Sequence, residues 1–282
     1  MQSLMETLRS PTTVVVPLDG SDFAARALPH AVEAADAFGA RLVLVDSRVG
    51  GGDVEEARGY LRSVAAECGH REAECIVVTD RTAAPAVASV AGEDRGAMVV
   101  MASHGRGAVR HLVLGSVAEQ LLAQHAGPVL VIGPQAERGR MAVAPQGAVL
   151  LGIDEHETDD ARIEAATVWA MTRHAPIEMV SVVNPVRIHN PVPAEHARVA
   201  ERIAAMAVPG EVTVTSHFIE NHDRANELAV RADAVGASLI VIGTHSPGGV
   251  ERLVAGNVAM RVVHLAGCPV LIVSPVRTHV DA

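Results

Sequence analysis

Two similar α/β domains in tandem, each a parallel sheet with helices on both faces, are what this sequence predicts, and three observations predict it. The first is a repeat. Met101-Ala-Ser-His-Gly-Arg-Gly-Ala-Val-Arg-His-Leu-Val-Leu-Gly-Ser-Val-Ala118 returns as Ile242-Gly-Thr-His-Ser-Pro-Gly-Gly-Val-Glu-Arg-Leu-Val-Ala-Gly-Asn-Val-Ala259, and His104 and His245, Gly115 and Gly256, and Pro128 and Pro269 all lie 141 residues apart in a chain of 282. The second is an alternation of short apolar runs with stretches of helical spacing, which favours right-handed βαβ units. The third is composition: 49% of residues are hydrophobic but only 2% aromatic. Cores made of Val, Leu, Ile, Ala and Met suit buried parallel strands under Ala-rich helices.

Thr12 to Leu18 is an apolar run that ends at Asp19-Gly-Ser21, a turn signal that also supplies a helix cap. Ala27, Ala31, Ala34, Ala35 and Phe38 then follow at helical spacing and stop at Gly39, while Pro29 predicts a kink or a late helix start. Further strands are expected at Arg41 to Asp46, Cys75 to Thr79, Met98 to Ala102 and Pro128 to Ile132, with helices near Val54 to Cys68, Ala83 to Asp94 and Ser116 to Gln124. The second half repeats the series with strands near Ala148 to Ile153, Ile177 to Val183, Val212 to Phe218, Ser238 to Ile242 and Pro269 to Val273. A Gly-, Pro- and polar-rich stretch from Gly133 to Gly147 reads as the linker, which divides the chain into domains 1–143 and 144–282. Asn184 to Pro193 carries three prolines and reads as an irregular loop at the carboxyl end of a strand.

A net charge of −10 and a pI near 5.7 oppose a nucleic-acid backbone or an anionic membrane as partner, since either needs a clustered positive field. The sequence shows neither a membrane span nor a signal peptide, so a cytoplasmic protein is expected. Cys68, Cys75 and Cys268 form no CxxC pair and read as reduced, structural thiols.

Chemistry concentrates after the fourth strand of each half. Gly105 and Gly107 let backbone amides approach an anion, Arg106 adds positive charge, and the amides after Gly115 open a helix whose N-terminus favours phosphate. Ser116 to Glu119 also fits a capping box, the purely structural alternative. No HExxH, GxSxG or GxxxxGK[ST] pattern occurs, so neither a metal site, a nucleophile elbow nor the Lys of a P-loop ATPase is expected. His104 and His245 read as loop positions.

Val14-Val-Val-Pro-Leu-Asp-Gly-Ser21, Met101-Ala-Ser-His-Gly-Arg-Gly107, Leu114-Gly-Ser-Val117 and Pro128-Val-Leu-Val131 together resemble the universal stress protein family, and the resemblance covers both halves. Nucleotide-binding members carry Gly, two residues, Gly, nine residues, then Gly with Ser or Thr. The first half reads Ala102, two residues, Gly105, nine residues, Gly115-Ser116, with one glycine changed by one methyl. The resemblance implies a five-stranded sheet per domain and domains paired through their last strands. It assigns Asp19 to adenosine, Pro17 and Ala102 to the ribose surroundings, Ser47 to adenine, and Gly105, Gly115, Ser116 and Val117 to the phosphates. Asp19 has an alternative as a turn or helix cap.

The second half departs further, with Gly243, two residues, Ser246, nine residues, Gly256-Asn257. Pro247 stands at the Arg106 position, and Glu155 follows Asp154 where Gly20 follows Asp19. A weaker site there comprises Asp154, Val182, Gly243, Gly256 and Asn257. The expected function is an ATP-binding, nucleotide-responsive regulator of stress adaptation rather than a dedicated enzyme, with Mg²⁺ carried by the phosphates. The expected partners are an adenine nucleotide, a second copy of the chain in a homodimer, and a regulatory protein. A slow ATPase or phosphotransferase and a nucleotide-free interaction protein are the alternatives.

Overall fold

The computed structural model describes residues 10–92, 96–103, 116–125, 127–136, 147–153, 158–183, 192–208, 210–244 and 257–274. In the first half, β1 (Thr13–Pro17) leads through a short helix α1 (Asp22–Ala25) into α2 (Leu28–Phe38). Then come β2 (Arg41–Ser47), α3 (Val54–Glu67), β3 (Glu74–Val78), α4 (Ala83–Ala91), β4 (Ala97–Ala102), α5 (Ser116–Gln124) and β5 (Val129–Ile132). The second half gives β6 (Val149–Gly152), α6 (Asp160–Arg173), β7 (Ile177–Val183), α7 (Val192–Met206) and β8 (Val214–Glu220). It ends with α8 (Arg224–Ala234), β9 (Leu239–Gly243), α9 (Asn257–Leu265) and β10 (Val270–Val273).

Pro29 resolves as a late start. Its missing N–H costs nothing in the first turn of a helix, so α2 begins just before it, and the chain upstream forms the separate turn of α1. Gly39 caps α2 in the left-handed region at φ 63°, where a side chain would be strained. β8 lies two residues later than the apolar pattern suggests. It is an edge strand with alternating exposure, so hydrophobicity marks its bounds poorly.

The ten strands among the described residues form one sheet in the order β3-β2-β1-β4-β5-β10-β9-β6-β7-β8. Within each half the neighbours are parallel, and the halves meet where β5 pairs antiparallel with β10. Leu130 faces Leu271, its own counterpart in the repeat, with Val129 opposite Ile272 and Val131 opposite Val270. That register places a local twofold axis through the Leu130–Leu271 pair. Alternate strand residues feed two cores: Val14, Val16, Leu151 and Leu271 pack under α2, α3, α6 and α7, while Val15, Val131, Leu150 and Ile272 pack under α4, α5, α8 and α9. Both cores run without interruption through the junction.

At the junction, α2 of the first half meets α6 of the second. Phe38 packs edge-on against Trp169 with centroids 5.0 Å apart, the Arg173 guanidinium lies 4.4 Å above the same indole, and Arg173 pairs with Glu33 at 2.8 Å. On the opposite face Gly133, just past β5, lies directly against the carbonyl of Val263 on α9. No helix among the described residues is long and apolar enough to cross a membrane.

Candidate functional site

The strand order reverses direction between β1 and β4, the place where an open parallel sheet offers a ligand crevice. The pairing shows that crevice opening. β1 stays paired with β2 as far as Pro17 with Val45, but with β4 only as far as Val15 with Val99, whereas β4 follows β5 to Ala102 with Ile132. Proline contributes no amide at the last position of β1, which suits a strand that leaves one neighbour early. Pro17 and Ala102 thus face each other across the mouth of the splay.

Asp19 follows Pro17 and organises the turn beside that mouth. Its Oδ1 accepts from the Ser21 amide at 2.9 Å and from the Ser21 hydroxyl at 2.5 Å, and Ser21 Oγ accepts in turn from the Ala24 amide at 3.2 Å, capping α1. Gly20 adopts φ 79°, which this tight turn requires and which glycine takes without strain. The structural role considered for Asp19 is therefore present, with the carboxylate held at the crevice rim.

Ser47 ends β2 on the far side of β1, its hydroxyl donating to the Arg81 carbonyl at 2.8 Å, so its side chain is engaged within the fold. Next to it Arg48 donates to the buried Asp46 at 2.9 Å, a fixed cation at the same rim that the motif reading passed over. Ser103, fully buried after Ala102, donates its amide to the Ile132 carbonyl at 2.9 Å and holds the β4 end against β5. Ser116 is exposed at the start of α5, and Val117 turns its side chain toward the core, which leaves its amide at the helix N-terminus. Gly105, Arg106 and Gly115 lie outside the described residues.

The second half has the same splay: β6 pairs with β7 to Gly152 but with β9 only to Leu151 and Val241, while β9 follows β10 to Gly243. Its contents differ. Arg162 on α6 is buried in the splay, donating through Nη1 to the Gly152 carbonyl at 3.2 Å and through Nε and Nη2 to Asp159 Oδ2 at 3.2 and 2.9 Å. Strand register places Val149 where Val14 stands and Ile177 where Leu42 stands, which puts Arg162 at the position of Ala27 and Gly243 at that of Ala102. Ala27 is buried and offers no such group.

Val182, the counterpart of Ser47, is a buried apolar strand residue. Beside it Ser181 donates to the Ile153 carbonyl at 2.8 Å and lies 2.9 Å from His196 Nε2, which therefore carries the ring proton. Burial holds the His196 pKa down to about 4, against a weaker upward pull from Glu195, so the imidazole is neutral at pH 7. Asp154 and Gly256 lie outside the described residues, and Asn257 begins α9. Among the described residues, no three His, Cys, Asp or Glu side chains gather as a metal site.

Two doubly wound α/β domains joined edge to edge, each with strands parting at its switch point, define a tandem α/β protein of the Rossmann-like type. The family model of the universal stress proteins matches residues 11–133 and 144–274. The chain belongs to the universal stress protein family, in a tandem two-domain form. A universal stress protein of Mycolicibacterium smegmatis is 28% identical over 187 residues, 63% of this chain and 62% of that protein. Universal stress protein Rv2005c of Mycobacterium tuberculosis is 29% identical over 202 residues, 68% of this chain and 65% of its own length. The chain thus spans less than two thirds of the length of these curated relatives. The crystal structure of a universal stress protein from Archaeoglobus fulgidus shares the fold with a TM-score of 0.73 at 17% identity, covering 96% of this chain and 98% of that one.

Proposed function

We propose that the first domain binds an adenine nucleotide such as ATP, and that occupancy of this crevice adjusts how the protein engages a regulatory partner in stress adaptation. The observation that carries the reading is the early parting of β1 from β4, with Pro17, Asp19 and Ala102 at the mouth and the α5 amide terminus on the same carboxyl-end rim. Family membership supports the nucleotide, and the sequence supports the phosphate cradle, since Gly105, Arg106, Gly115 and Ser116 keep its spacing. Mg²⁺ would be carried by the phosphates. The reading is a binding function: among the described residues of this rim the Asp19 and Asp46 carboxylates are engaged by Ser21 and Arg48, and an arginine such as Arg106 stabilises charge without activating a nucleophile.

The test is direct. Protein purified gently should release an adenine nucleotide detectable by mass spectrometry, and with one tryptophan and one tyrosine in the chain a bound adenine should visibly raise absorbance at 260 nm. Gly115→Asp, which sets a carboxylate against the phosphates, should weaken ATP binding at least about tenfold in calorimetry, a loss of about 1.4 kcal/mol. Nucleotide-free protein that also ignores added ATP overturns the reading. Steady Mg²⁺-dependent turnover on the order of 1 per second or faster, abolished by the same substitution, would replace it with the enzyme reading.

A further inference from the structure

The two crevices share a backbone plan and differ in what lies between the strands. In the second, the parting of β6 from β9 leaves the Gly152 carbonyl without a strand partner on that side, and Arg162 Nη1 donates to it at 3.2 Å. The remaining guanidinium donors are not offered to solvent either: Nε and Nη2 both reach Asp159 Oδ2, and the Arg162 side chain is only 7% exposed. Asp159 is itself fixed, since it caps α6 by accepting from the Arg162 amide at 2.9 Å. One carboxylate therefore starts the helix and holds the cation in place.

Gly243 completes the seat. A β-carbon there would fall 2.6 Å from Arg162 Nη2 and 2.8 Å from Cζ, closer than real side-chain carbons approach, so the guanidinium rests on the bare Cα surface. The equivalent pair in the first half is Ala27 and Ala102, small at both positions. The halves have exchanged volume: a methyl on the strand goes with alanine at the cap of α2, and a guanidinium from α6 goes with glycine on the strand. Gly243, which reads in the sequence as the first glycine of a phosphate cradle, has a different use in the fold.

We propose that Arg162 is a built-in occupant of the second crevice, filling by its own guanidinium the space that a nucleotide's ribose end would need, so that each chain takes up one adenine nucleotide. This rests on the nucleotide reading of the first crevice. A paired, buried guanidinium is costly to expel, because its removal strands the Asp159 carboxylate and the Gly152 carbonyl together. The second domain is thereby a structural copy that supports the first across the β5–β10 junction.

Calorimetric titration of ATP with Mg²⁺ into the full chain, its Arg162→Ala variant and its Arg162→Met variant tests the proposal. One equivalent is expected for the unmodified chain, a second and weaker equivalent after Arg162→Ala, and one again after Arg162→Met, whose unbranched side chain still fills the splay. Two equivalents in the unmodified chain, or still one in folded Arg162→Ala, overturn it. ATP uptake that appears only after Arg162→Ala upholds the occupant and overturns the first-crevice reading; no uptake by any of the chains overturns both. Thermal melting keeps the proposal open to refutation even where Arg162→Ala does not fold. Gly243→Ala should lower the melting temperature when made alone and cost several-fold less alongside Arg162→Met, whereas an equal cost in both settings removes the contact on which the proposal stands.

Discussion

At the scale of single residues, the motif positions at the strand ends are legible and the groups that decide the chemistry around them are less so. Pro17, Asp19 and Ala102 could be placed because turn chemistry and glycine spacing are local signals. Arg162 could not. The glycine motifs repeat at a spacing of 141, but the first two strands of each half repeat at 135, because the second half is six residues longer between its second and third strands. Aligning Asp19 with Asp154 does set Arg162 beside Ala27, but nothing local in the sequence shows that the guanidinium turns into the splay and pairs there with Gly152 and Asp159.

The buried histidines were equally silent, since burial and neighbours are tertiary facts. His30 lies on α2 at the junction of the halves, and its pKa falls to about 4, first through burial and then through the nearby Arg173 cation. Its Nδ1 has no hydrogen-bond partner among the described residues. The unfolded chain binds this proton at a pKa near 6.5, so the stability that depends on neutral His30 is complete above that pH and drains away as pH falls toward 4. At pH 5 the loss is about 2 kcal/mol. Urea unfolding at pH 7.5 and pH 5 should show His30→Leu losing about that much less than the unmodified chain. Arg173, whose charge bears on the ring, and its partner Glu33 are present in both proteins, so the difference isolates His30, and equal losses would mean that it does not titrate in this window.

At the scale of elements, periodicity and punctuation locate strands and helices well because each is written in consecutive residues. The Pro29 signal left two outcomes open, and the late start prevailed since a proline in the first helical turn forfeits no bond. The pairing of β5 with β10 is different in kind. Four apolar residues mark a buried strand, but its register goes with tertiary packing across the junction, α2 on α6 through Phe38–Trp169 and Glu33–Arg173 and Gly133 against Val263 of α9, which no local pattern encodes. Gly133 shows how close that packing is: an added methyl would fall inside the Val263 carbonyl of the other half. Gly133→Ala should therefore destabilise the whole chain by about 1–3 kcal/mol, the usual cost of overpacking a filled contact. Denaturant midpoints measure it, and a neutral outcome would mean that α9 can shift away from β5 freely.

At the scale of the whole molecule, the local twofold axis makes the two halves one ten-stranded body, so an event in the first crevice has a mechanical route to the second half. α2 is that route. It begins just after the Asp19–Ser21 turn and the α1 cap, and it ends at Phe38 against Trp169, with Glu33 and Arg173 paired along the way. A rotation of these eleven helical residues at the crevice would reach an indole clamped between a ring and a guanidinium. Because Trp169 is the one tryptophan in the chain, its emission reports on the junction alone. ATP should change that emission saturably, with the same midpoint that calorimetry gives for binding, and Gly115→Asp should remove the change along with the binding. Binding without any change in Trp169 emission would mean that α2 does not carry the signal. A nucleotide-responsive surface would then have to lie on the α4–α5 face, where α5 starts at the crevice and packs on the other core.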